Sequence, residues 1–480
     1  MAAGTTLVPL RWESAHLSPL RPLPPREAGV RRITILHTND FHSNVDGRVG
    51  TDGQFRGGLA RIAATIRRAQ AHGPTLVLDA GDMAFGSGTW WDAGGAAAVA
   101  RLRSQAGYQL AAIGNHDLEH GLEGLREMLA ADHDFVAANL TLSDADLSAR
   151  VHPAMIASLN GFRLGITGIT TEETLTLIPR ARLAGIGILP PLASVGAVVR
   201  EVAPLVDAVI IISHLGLDRG QPGDRELAQH LAGGKLAAVV GGHTHAAHEP
   251  APLVGGALLC NAGAFGANVG ELTLDRSLDG VVQAAERLIP QMPSSPEDPA
   301  LLAARNAEVE ALMPLQREYR ALPRLPELPR PDYELTLLAC ALPWSEPAMP
   351  ALLLLPRMYV AAALPQRRWV SRAELYTSFP SRETLVQATL AGGNLRQMLG
   401  AQGELLSYAR AHAKWIGSGQ PVELESIDPS ASYSVTTSEL VAEGGLGWHA
   451  FPTAAQNIRG RHTALATLLG AFPVDEAQPV

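Results

Sequence analysis

The sequence predicts an α/β layered domain followed by a second, smaller domain, and three observations support this prediction. Short β-branched runs such as "ITILHTND", "TLVLDAGD" and "AVIIISHLG" recur between residues 32 and 275. Helix-like stretches, for example "GGLARIAATIRRAQAHG", lie between several of these runs. Near residue 275 the alternation stops, and proline and charged residues become frequent. Apolar strands that alternate with helices are typical of layered α/β domains.

The chain divides into four segments by composition. Residues 1–30 are rich in proline and are expected to form a flexible N-terminal arm. Residues 31–280 hold the alternating pattern and form the first predicted domain. Residues 281–332 are expected to be an interdomain linker with one helix, and residues 333–475 are expected to form the second domain. With 480 residues, of which 46% are hydrophobic, the chain can bury two sizeable cores.

The charge balance and the cysteines exclude several classes of function. The net charge is −9 and no basic block is present, so nucleic acid is not an expected partner. No uncharged run is long enough to span a bilayer, and the N-terminus lacks the apolar stretch of a signal peptide. The chain is therefore expected to be cytoplasmic as written and not to bind a membrane, and to be periplasmic or extracellular only if the start site is misassigned. Cys260 and Cys340 are expected to be buried thiols without a disulfide framework.

Polar residues collect at the carboxyl ends of the apolar runs. Five successive runs end in carboxylate, amide or imidazole side chains, and these residues are Asp40 and His42, Asp82, Asn115 and His116, His214, and His243 with His245. Sites in α/β sheets assemble at this edge. A single strand that ends in such a residue is often only a helix cap, but five in succession indicate a site. The other histidines, His37, His72, His120, His133, His152 and His248, are interpreted as surface or structural residues.

The residue types constrain the ion that such a site would hold. Imidazoles combined with carboxylates and an amide suit manganese, zinc, iron or cobalt, and the absence of a thiolate gives no reason to favour a structural zinc site. Seven ligands exceed the usual needs of one ion but fit two ions that share a carboxylate. Asp82 is the expected bridge because it lies on a turn flanked by glycine. Two metal ions about 3.5–4 Å apart can hold the attacking and leaving oxygens of a phosphoryl displacement.

The order "DFH…GD…GNHD…H…GHTH" resembles the calcineurin-type metallophosphoesterases. The longer blocks "ILHTNDFHSN", "GGLARIAATI", "LDAGDMAFGS", "AANL" and "GGHTHAAHEP" are similar to the 5′-nucleotidase and UDP-sugar hydrolase branch, over residues 32–275. The resemblance implies a four-layer αββα metallophosphoesterase domain and a smaller α/β C-terminal domain. It also implies two metal ions, the first bound by Asp40, His42, Asp82 and His245 and the second by Asp82, Asn115, His214 and His243.

The resemblance also implies catalytic roles around the segment "GNHDLE". Asn115 would ligate an ion and face the phosphate, whereas His116 would not be a ligand and would stabilise charge in the transition state. Glu119 stands where the family usually has the aspartate that orients this histidine. Asp117 is expected to cap the following helix.

The second domain resembles the substrate-binding domain of this family more weakly, through "VSRAELYTSFPSRETLVQATLAGGNLRQML" and "YSVTTSELVAEGGLGWHAF". The residues that match the family's nucleoside-binding positions have changed, and they read Ala361, Ser381, Glu383, Leu440 and Leu446. No aromatic pair remains there to stack on a base, an interaction that contributes about 1–3 kcal/mol per ring. A different pocket would draw on nearby residues, which are Arg357, Tyr359, Arg382 and Trp448.

The sequence thus predicts a dinuclear phosphohydrolase of 5′-nucleotidase type that acts in nucleotide catabolism on a small phosphate ester or nucleotide through metal-activated water. Two alternatives stay open. One is a thiosulfohydrolase-like sulfur enzyme, which would share the fold and a dinuclear manganese site. The other is a metal-binding protein whose second domain serves as an interaction module. The oligomeric state does not follow from the sequence.

Overall fold

The structure, a computed structural model, describes residues 5–472 except 28, 30, 51–52, 87–88, 130–133, 219–221, 344–348, 356–363, 380–383 and 447. The chain divides into two compact units. The first comprises Met1–Phe85, Gly95–Leu175 and Arg182–Glu308, and the second comprises Gly86–Gly94, Thr176–Ala181 and Val309–Val480.

The first unit contains two large sheets and their covering helices. Its strands are β1 (Thr6–Glu13), β2 (His16–Pro19), β3 (Arg31–Thr38), β4 (Arg48–Val49), β5 (Phe55–Arg56), β6 (Thr75–Asp79), β7 (Leu110–Ala111), β8 (Asp134–Val136), β9 (Leu140–Leu142), β10 (Val151–His152), β11 (Ala154–Leu159), β12 (Phe162–Thr170), β13 (Ile186–Ile188), β14 (Ala208–His214), β15 (Leu236–Gly241), β16 (Leu253–Val254), β17 (Ala257–Cys260), β18 (Asn268–Arg276) and β19 (Val282–Pro290). Its helices are α1 (Leu59–His72), α2 (Ala97–Ala106), α3 (Gly121–Leu129), α4 (Ala145–Ser148), α5 (Thr174–Leu177), α6 (Pro191–Val202), α7 (Asp224–His230) and α8 (Pro299–Arg317), of which α5 and α8 run on into segments of the second unit. Short 3₁₀ helices cover His116–Leu118 and Ala203–Leu205.

The two sheets pack face to face around one apolar core. The first sheet has the strand order β16-β17-β15-β14-β12-β11-β1-β2, and the second has the order β10-β8-β7-β6-β3-β18-β19. Strand β14 shows why both faces of a sheet are covered. Its residues Ile210 and Ile212 enter the core between the sheets, whereas Val209 and Ile211 pack with apolar residues of α6 on the other face. Successive strand side chains point to opposite faces, so a continuous apolar run needs a layer on each side.

The helix layers follow from the same patterning. Helix α1 buries Leu59, Ile62 and Ile66, which recur at helical spacing on one face, and it lies against β6 of the seven-stranded sheet. Helix α6 begins with Pro191 in its first turn, where a missing N–H costs nothing, and packs against β12 of the eight-stranded sheet. The first unit therefore has the predicted helix–sheet–sheet–helix layering.

The N-terminal segment differs from the flexible arm expected for residues 1–30. Strand β1 pairs antiparallel with β11 from Thr6↔Ser158 to Leu10↔Ala154, and β2 pairs with β1 as the edge strand. Val8 and Leu10 are fully buried. The expectation of an arm is wrong for these residues, because their apolar side chains complete the eight-stranded sheet.

The segment predicted as a linker, residues 281–332, also contains regular structure. Strand β19 pairs along its whole length with β18, from Asn268↔Pro290 to Arg276↔Val282, so the seven-stranded sheet extends ten residues past the predicted domain end at 280. The expected helix within the segment is α8. Two stretches of the segment lack helix and strand among the described residues, 291–298 before α8 and the longer 322–331 before α9.

The second unit is a smaller α/β domain. Its strands are β20 (Tyr319–Ala321), β21 (Ala351–Leu353), β22 (Trp369–Ser371), β23 (Thr384–Ala391), β24 (Lys414–Trp415), β25 (Ser432–Ser438) and β26 (Gln456–Thr463). Its helices are α9 (Asp332–Ala341), α10 (Arg372–Ser378), α11 (Gly392–Gly400), α12 (Glu404–Ala411), α13 (Glu439–Ala442), α14 (Phe451–Ala454) and α15 (Ala464–Ala471). Two further 3₁₀ helices cover Trp90–Gly94 and Leu424–Ser426.

The core of the second unit lies on both faces of a five-stranded sheet with the order β24-β21-β25-β23-β26. Leu353 packs with residues of α9 and α15 on one face, and Leu352 packs with residues of α11 on the other. The two cysteines are free, as expected, but only Cys260 is buried, since Cys340 is partly exposed. Among the described residues, no helix combines the length and apolar character that crossing a membrane requires.

Candidate metal centre

The polar residues singled out in the sequence lie just beyond the carboxyl ends of parallel strands. In the seven-stranded sheet β3, β6 and β7 run parallel, and Asp40, Asp82 and Asn115 follow their ends. In the eight-stranded sheet β14 and β15 run parallel, with His214 closing one strand and His243 following the other. The two sheets therefore deliver these side chains to one edge of the first unit.

Five of these residues hold the backbone in the left-handed region. Their φ values are 49° for Asp40, 48° for His42, 54° for Asp82, 72° for His243 and 58° for His245. Side chains other than glycine seldom adopt this conformation, and residues that do so cluster at ligand-binding and active sites. Strain repeated at five positions of one edge indicates that the fold holds these side chains in place for a purpose.

A close backbone approach explains one glycine of the "GNHD" block. Gly114 packs against the loop that carries Asp82, and a Cβ at this position would overlap Oδ1 and the backbone nitrogen of Asp82. The backbone nitrogen of His116 donates a hydrogen bond to the same Oδ1 at 2.8 Å. Oδ1 of Asp82 is thus fixed by the neighbouring loop, which leaves Oδ2 to face the site.

The side chains form two clusters. Asp40, His42 and His245 form the first, and Asp82, His214 and His243 form the second. Within each cluster, the potential ligand atoms all lie within 4.8 Å of one another. In the first cluster, Nε2 of His42 lies 3.0 Å from Nε2 of His245. Oδ2 of Asp82 lies 3.1 Å from Nε2 of His214 in its own cluster and 3.8 Å from Nε2 of His42 in the other. Asp82 therefore stands between the two clusters.

Backbone carbonyls orient two of the imidazoles. Nδ1 of His42 donates to the carbonyl oxygen of Phe85, and Nδ1 of His214 donates to that of Ala80, each at 2.7 Å. In a neutral ring a donor role for Nδ1 leaves the lone pair on Nε2, and a hydrogen bond from the other ring nitrogen is what histidine ligands of metals usually have. Nε2 of both rings therefore faces Asp82.

Asp117 fixes the loops rather than capping a helix. Its Oδ2 accepts hydrogen bonds from the backbone nitrogens of Asp82 and Gly114, each at 2.9 Å. Its Oδ1 accepts from those of Met83 at 2.9 Å and Ala84 at 3.3 Å. The expectation that Asp117 caps the following helix is wrong, because its buried carboxylate joins the two loops that carry Asp82 and Asn115.

Burial and the neighbouring charges set the protonation of the site in the ion-free polypeptide. Burial would raise the pKa of the Asp82 carboxyl, but His214, His116 and His42 together outweigh it and hold that pKa well below the usual range. Burial would lower the pKa of His214, but Asp82 raises it to about 10. For His42 burial dominates and lowers the pKa to about 3, and for His243 and His245 it lowers the pKa to about 4. Three imidazoles are therefore neutral at pH 7 and have lone pairs to offer.

The buried polar atoms fit a divalent cation. Oδ1 of Asn115 has no hydrogen-bond partner within the described part of the chain, although the residue is only 3% exposed. Nε2 of His214 approaches Asp82 but makes no well-directed hydrogen bond. An unpaired buried polar atom costs about 1–3 kcal/mol, and a cation would remove that cost. Carboxylate, imidazole and amide oxygen together are donors that transition-metal ions accept.

His116 and Glu119 lie beside the clusters. Nδ1 of His116 is 3.1 Å from Oε2 of Glu119, and the ring of His116 lies 5.2 Å, centroid to centroid, from that of His42. Burial would lower the pKa of His116, but Asp82 and Glu119 raise it to about 9. The longer side chain of glutamate thus reaches the imidazole, which is 30% exposed.

The sequence reasoning missed Glu173. Its Oε2 lies 3.0 Å from Nε2 of His243, and it follows strand β12, which runs parallel to β14. The stretch "LGITGITTEE" would have identified it, because it is another apolar run that is followed by acidic residues at its carboxyl end. The structure therefore adds one carboxylate to the edge where the clusters lie.

The residues suggested for a substrate pocket are only partly described. Arg357, Tyr359 and Arg382 lie outside the described residues, as do the substituted positions Ala361, Ser381 and Glu383. Trp448 is 2% exposed and lines a cavity of about 390 Å³ within the second unit. Leu440, at one of the family's stacking positions, is buried.

The first unit contains most of the part of the chain that matches a known family. The Calcineurin-like phosphoesterase family matches residues 33–247, which include all seven candidate ligands. Residues 33–247 therefore form a calcineurin-like phosphoesterase domain, with side-chain clusters that could hold divalent metal ions.

Curated relatives and solved structures are similar to different extents of this chain. The 5′-nucleotidase of Diplobatis ommata is 31% identical over 249 residues, which are 48% of this chain and 41% of the relative. The chain spans about two fifths of the length of the curated relatives it matches. A 5′-nucleotidase precursor from Thermus thermophilus shares the fold over 92% of this chain and 96% of its own, with a TM-score of 0.69 and 21% identity. The sulfate thiohydrolase SoxB of Thermus thermophilus also shares it over 94% of each chain, with a TM-score of 0.62 and 16% identity. The two-unit fold is thus that of the 5′-nucleotidase structures.

Proposed function

We propose that this protein is a dinuclear metal-dependent phosphohydrolase of the 5′-nucleotidase type, which hydrolyses phosphate esters of nucleotides or related compounds. The observation that carries the proposal is the position of Asp82 between the two clusters, 3.1 Å from His214 and 3.8 Å from His42. A carboxylate approached by imidazoles from two sides is the arrangement that a bridging ligand requires.

Under this proposal the seven residues divide between two ions, with Asp40, His42, Asp82 and His245 around the first and Asp82, Asn115, His214 and His243 around the second. Both sets contain neutral imidazoles and carboxylates, which suits manganese, zinc, iron or cobalt. When bound, such ions supply Lewis-acid stabilisation of phosphoryl oxygens and activate water as a nucleophile.

The protein's own groups hold the reacting atoms in place. The carbonyls of Ala80 and Phe85 fix the rings of His214 and His42, so the ligand set is organised before substrate arrives. Glu119, which ligates neither ion under this proposal, lies 3.1 Å from Nδ1 of His116 and holds the ring in place. In the ion-free polypeptide Asp82 and Glu119 raise the pKa of His116 to about 9. A protonated imidazole beside the phosphoryl group would stabilise the charge that develops on its oxygens in the transition state.

Metal analysis combined with turnover tests this proposal. The purified chain, loaded with manganese, zinc or cobalt, is expected to hold two ions at the centre and to hydrolyse p-nitrophenyl phosphate, its bis-ester or AMP. Asp82→Asn is expected to lose at least one of these ions and nearly all turnover. Asp146→Asn, at an exposed position in α4, is the matched control and is expected to behave as wild type.

Each alternative outcome identifies a different function. Elemental analysis that finds a single ion in total in an active wild-type protein would contradict the dinuclear proposal. Release of sulfate from a thiosulfate ester, without phosphatase turnover, would favour the thiosulfohydrolase alternative, whose fold this chain shares. Two bound ions without turnover of either substrate class would favour a metal-binding protein with an interaction module.

A further inference from the structure

A separate group of ligand-type side chains lies inside the core between the two sheets. His37 is on β3, Cys260 ends β17 and Glu286 is on β19. Their potential ligand atoms all lie within 4.8 Å of one another. The side chains of His37 and Glu286 are 0% and 2% exposed, and Cys260 is fully buried. None of the three belongs to the candidate metal centre.

The backbone is adapted to bring the three together. Gly270 on β18 pairs with His37 on β3, and β18 separates β3 from β19. A Cβ at position 270 would overlap the imidazole of His37. The glycine therefore lets the ring extend across β18 towards Glu286, whose Oε1 lies 2.7 Å from Nε2 of His37. Cys260 comes from the opposite sheet.

Hydrogen bonds within the protein satisfy only part of this group. Oε2 of Glu286 and Nδ1 of His37 have no hydrogen-bond partner within the described ranges. No lysine or arginine that the structure describes forms an ion pair with Glu286, whose partner is His37. A carboxylate with one free oxygen in an apolar core is unfavourable, because both the charge and the oxygen need a partner.

We propose that His37, Cys260 and Glu286 form a third, structural metal site, which takes a borderline-soft divalent cation such as zinc. One imidazole nitrogen, one thiolate sulfur and one carboxylate give three protein ligands of kinds that zinc accepts, and the second carboxylate oxygen is close enough to add a fourth donor. A thiolate and a carboxylate also balance the double positive charge, so the complex is neutral in the low-dielectric core.

Binding changes two features of the group. The thiol proton of Cys260 leaves to solvent, although burial and Glu286 raise the pKa of this thiol when no ion is present. The hydrogen bond between His37 and Glu286 opens, because two ligands about 2.0–2.1 Å from a tetrahedral zinc ion lie about 3.3 Å apart. Small side-chain rotations supply this movement. Since all three residues are buried, the ion enters while the domain folds.

The competing explanation is a purely structural hydrogen-bonded group. A charged residue that points inward from an edge strand can prevent edge-to-edge association, and β19 is such a strand. That explanation accounts for Glu286, and a hydrogen bond from the thiol of Cys260 to its carboxylate would include the opposite sheet in the same group. It leaves Oε2 of Glu286 and Nδ1 of His37 without a well-directed partner.

Cobalt spectroscopy on the full-length protein distinguishes the two explanations. The chain is expressed in zinc-free medium with cobalt, so that cobalt is present as it folds. A thiolate ligand gives a near-ultraviolet sulfur-to-cobalt charge-transfer band, which imidazole, carboxylate and amide ligands do not give. The wild type is expected to show this band, and Asp82→Asn is expected to keep it, because the candidate centre contains no cysteine.

Matched variants locate the sulfur. Cys260→Ser is expected to abolish the band, whereas Cys340→Ser, at the other free cysteine, is expected to retain it. Glu286→Gln is expected to weaken the band, and Glu271→Gln, on β18 and paired with exposed Arg287, is its control. Should Cys260→Ser fail to fold, X-ray absorption of the zinc-grown wild type supplies an independent measurement, namely a sulfur neighbour at about 2.3 Å from zinc.

The result that overturns the inference is a folded, cobalt-grown wild type without the band, or a band that persists in folded Cys260→Ser. A zinc-grown protein without a sulfur neighbour around zinc overturns it equally. Phosphatase turnover without the band would leave the proposed function standing while refuting the third site. The band without turnover would support the third site while refuting the proposed function.

Discussion

Replacing Asp117 by asparagine tests whether one buried carboxylate organises the candidate metal centre. Each of its oxygens accepts two backbone hydrogen bonds, from Asp82 and Gly114 on one side and from Met83 and Ala84 on the other. Asparagine has the same shape but replaces one oxygen by an NH₂ group. Whichever way the amide turns, two backbone N–H groups then face a donor in place of an acceptor.

The expected cost follows from these two lost acceptors. A buried donor without a partner costs about 1–3 kcal/mol, so Asp117→Asn is expected to lower the free energy of unfolding of the first unit by roughly 2–6 kcal/mol. The amide is expected to turn its NH₂ group towards Met83 and Ala84, because the bond to Ala84 is the longest of the four at 3.3 Å. The loop with Asp82 should then loosen, and metal affinity should fall with stability.

Urea unfolding in the presence of a chelator measures this cost, because bound ions would add their own binding free energy to the native state. The control is Asp144→Asn, in which a half-buried cap of α4 accepts the backbone nitrogen of Leu147 and also pairs with exposed Arg126, a surface ion pair of little energy. Asparagine caps helices as well as aspartate does, so this variant should stay within about 0.5 kcal/mol of wild type. If Asp117→Asn also stays within about 0.5 kcal/mol, the carboxylate does not organise these loops.

Three further predictions concern catalysis, selectivity and domain organisation. His116→Ala should keep both ions at the centre yet lose about 10²–10⁴-fold in turnover, and Glu119→Gln should show a smaller defect of the same kind. If His116→Ala instead loses metal in step with activity, His116 is a ligand. The kcat/KM for AMP should exceed that for p-nitrophenyl phosphate by less than about a hundredfold, which corresponds to roughly 2.7 kcal/mol. The reason is that the residues expected at the family's stacking positions are not aromatic. A larger ratio would show that a nucleoside pocket survives. Limited proteolysis should cut first within residues 322–331, which carry neither helix nor strand; first cleavage within β19 or α8 would count against this boundary.

The edge where the candidate centre lies could be predicted because its signal is local. Asp40, Asp82, Asn115 and His214 each follow or close an apolar run, and the direction of a parallel strand determines at which edge its last residue lies. The same rule would have found Glu173 after β12. Asp117 was misinterpreted because its partners are backbone nitrogens of another loop, and no residue type marks those in a sequence.

The non-local strand pairings could not be predicted from local patterns. Pro9 has no N–H to donate, so a proline within the run argued against a strand, yet β1 pairs with β11. Strand β19 reads "VQAAERLIP" and alternates half-buried with exposed residues, as expected of an edge strand. Its Glu286 faces inward and contacts His37 of β3 across Gly270 of β18. This contact depends on three strands at once, so no local pattern reveals it.

The position of β1 in the sheet has a consequence for synthesis on the ribosome. Thr6 pairs with Ser158, so β1 waits for about 150 further residues before its partner exists. At translation rates of about 5–20 residues per second this delay is roughly 8–30 s. During that time β1 has only β2 to pair with, and an isolated two-stranded hairpin is at best marginally stable in water. Throughout this interval the apolar side chains of Val8 and Leu10 lack the β11 partner that later buries them, so the eight-stranded sheet can be completed only late in synthesis.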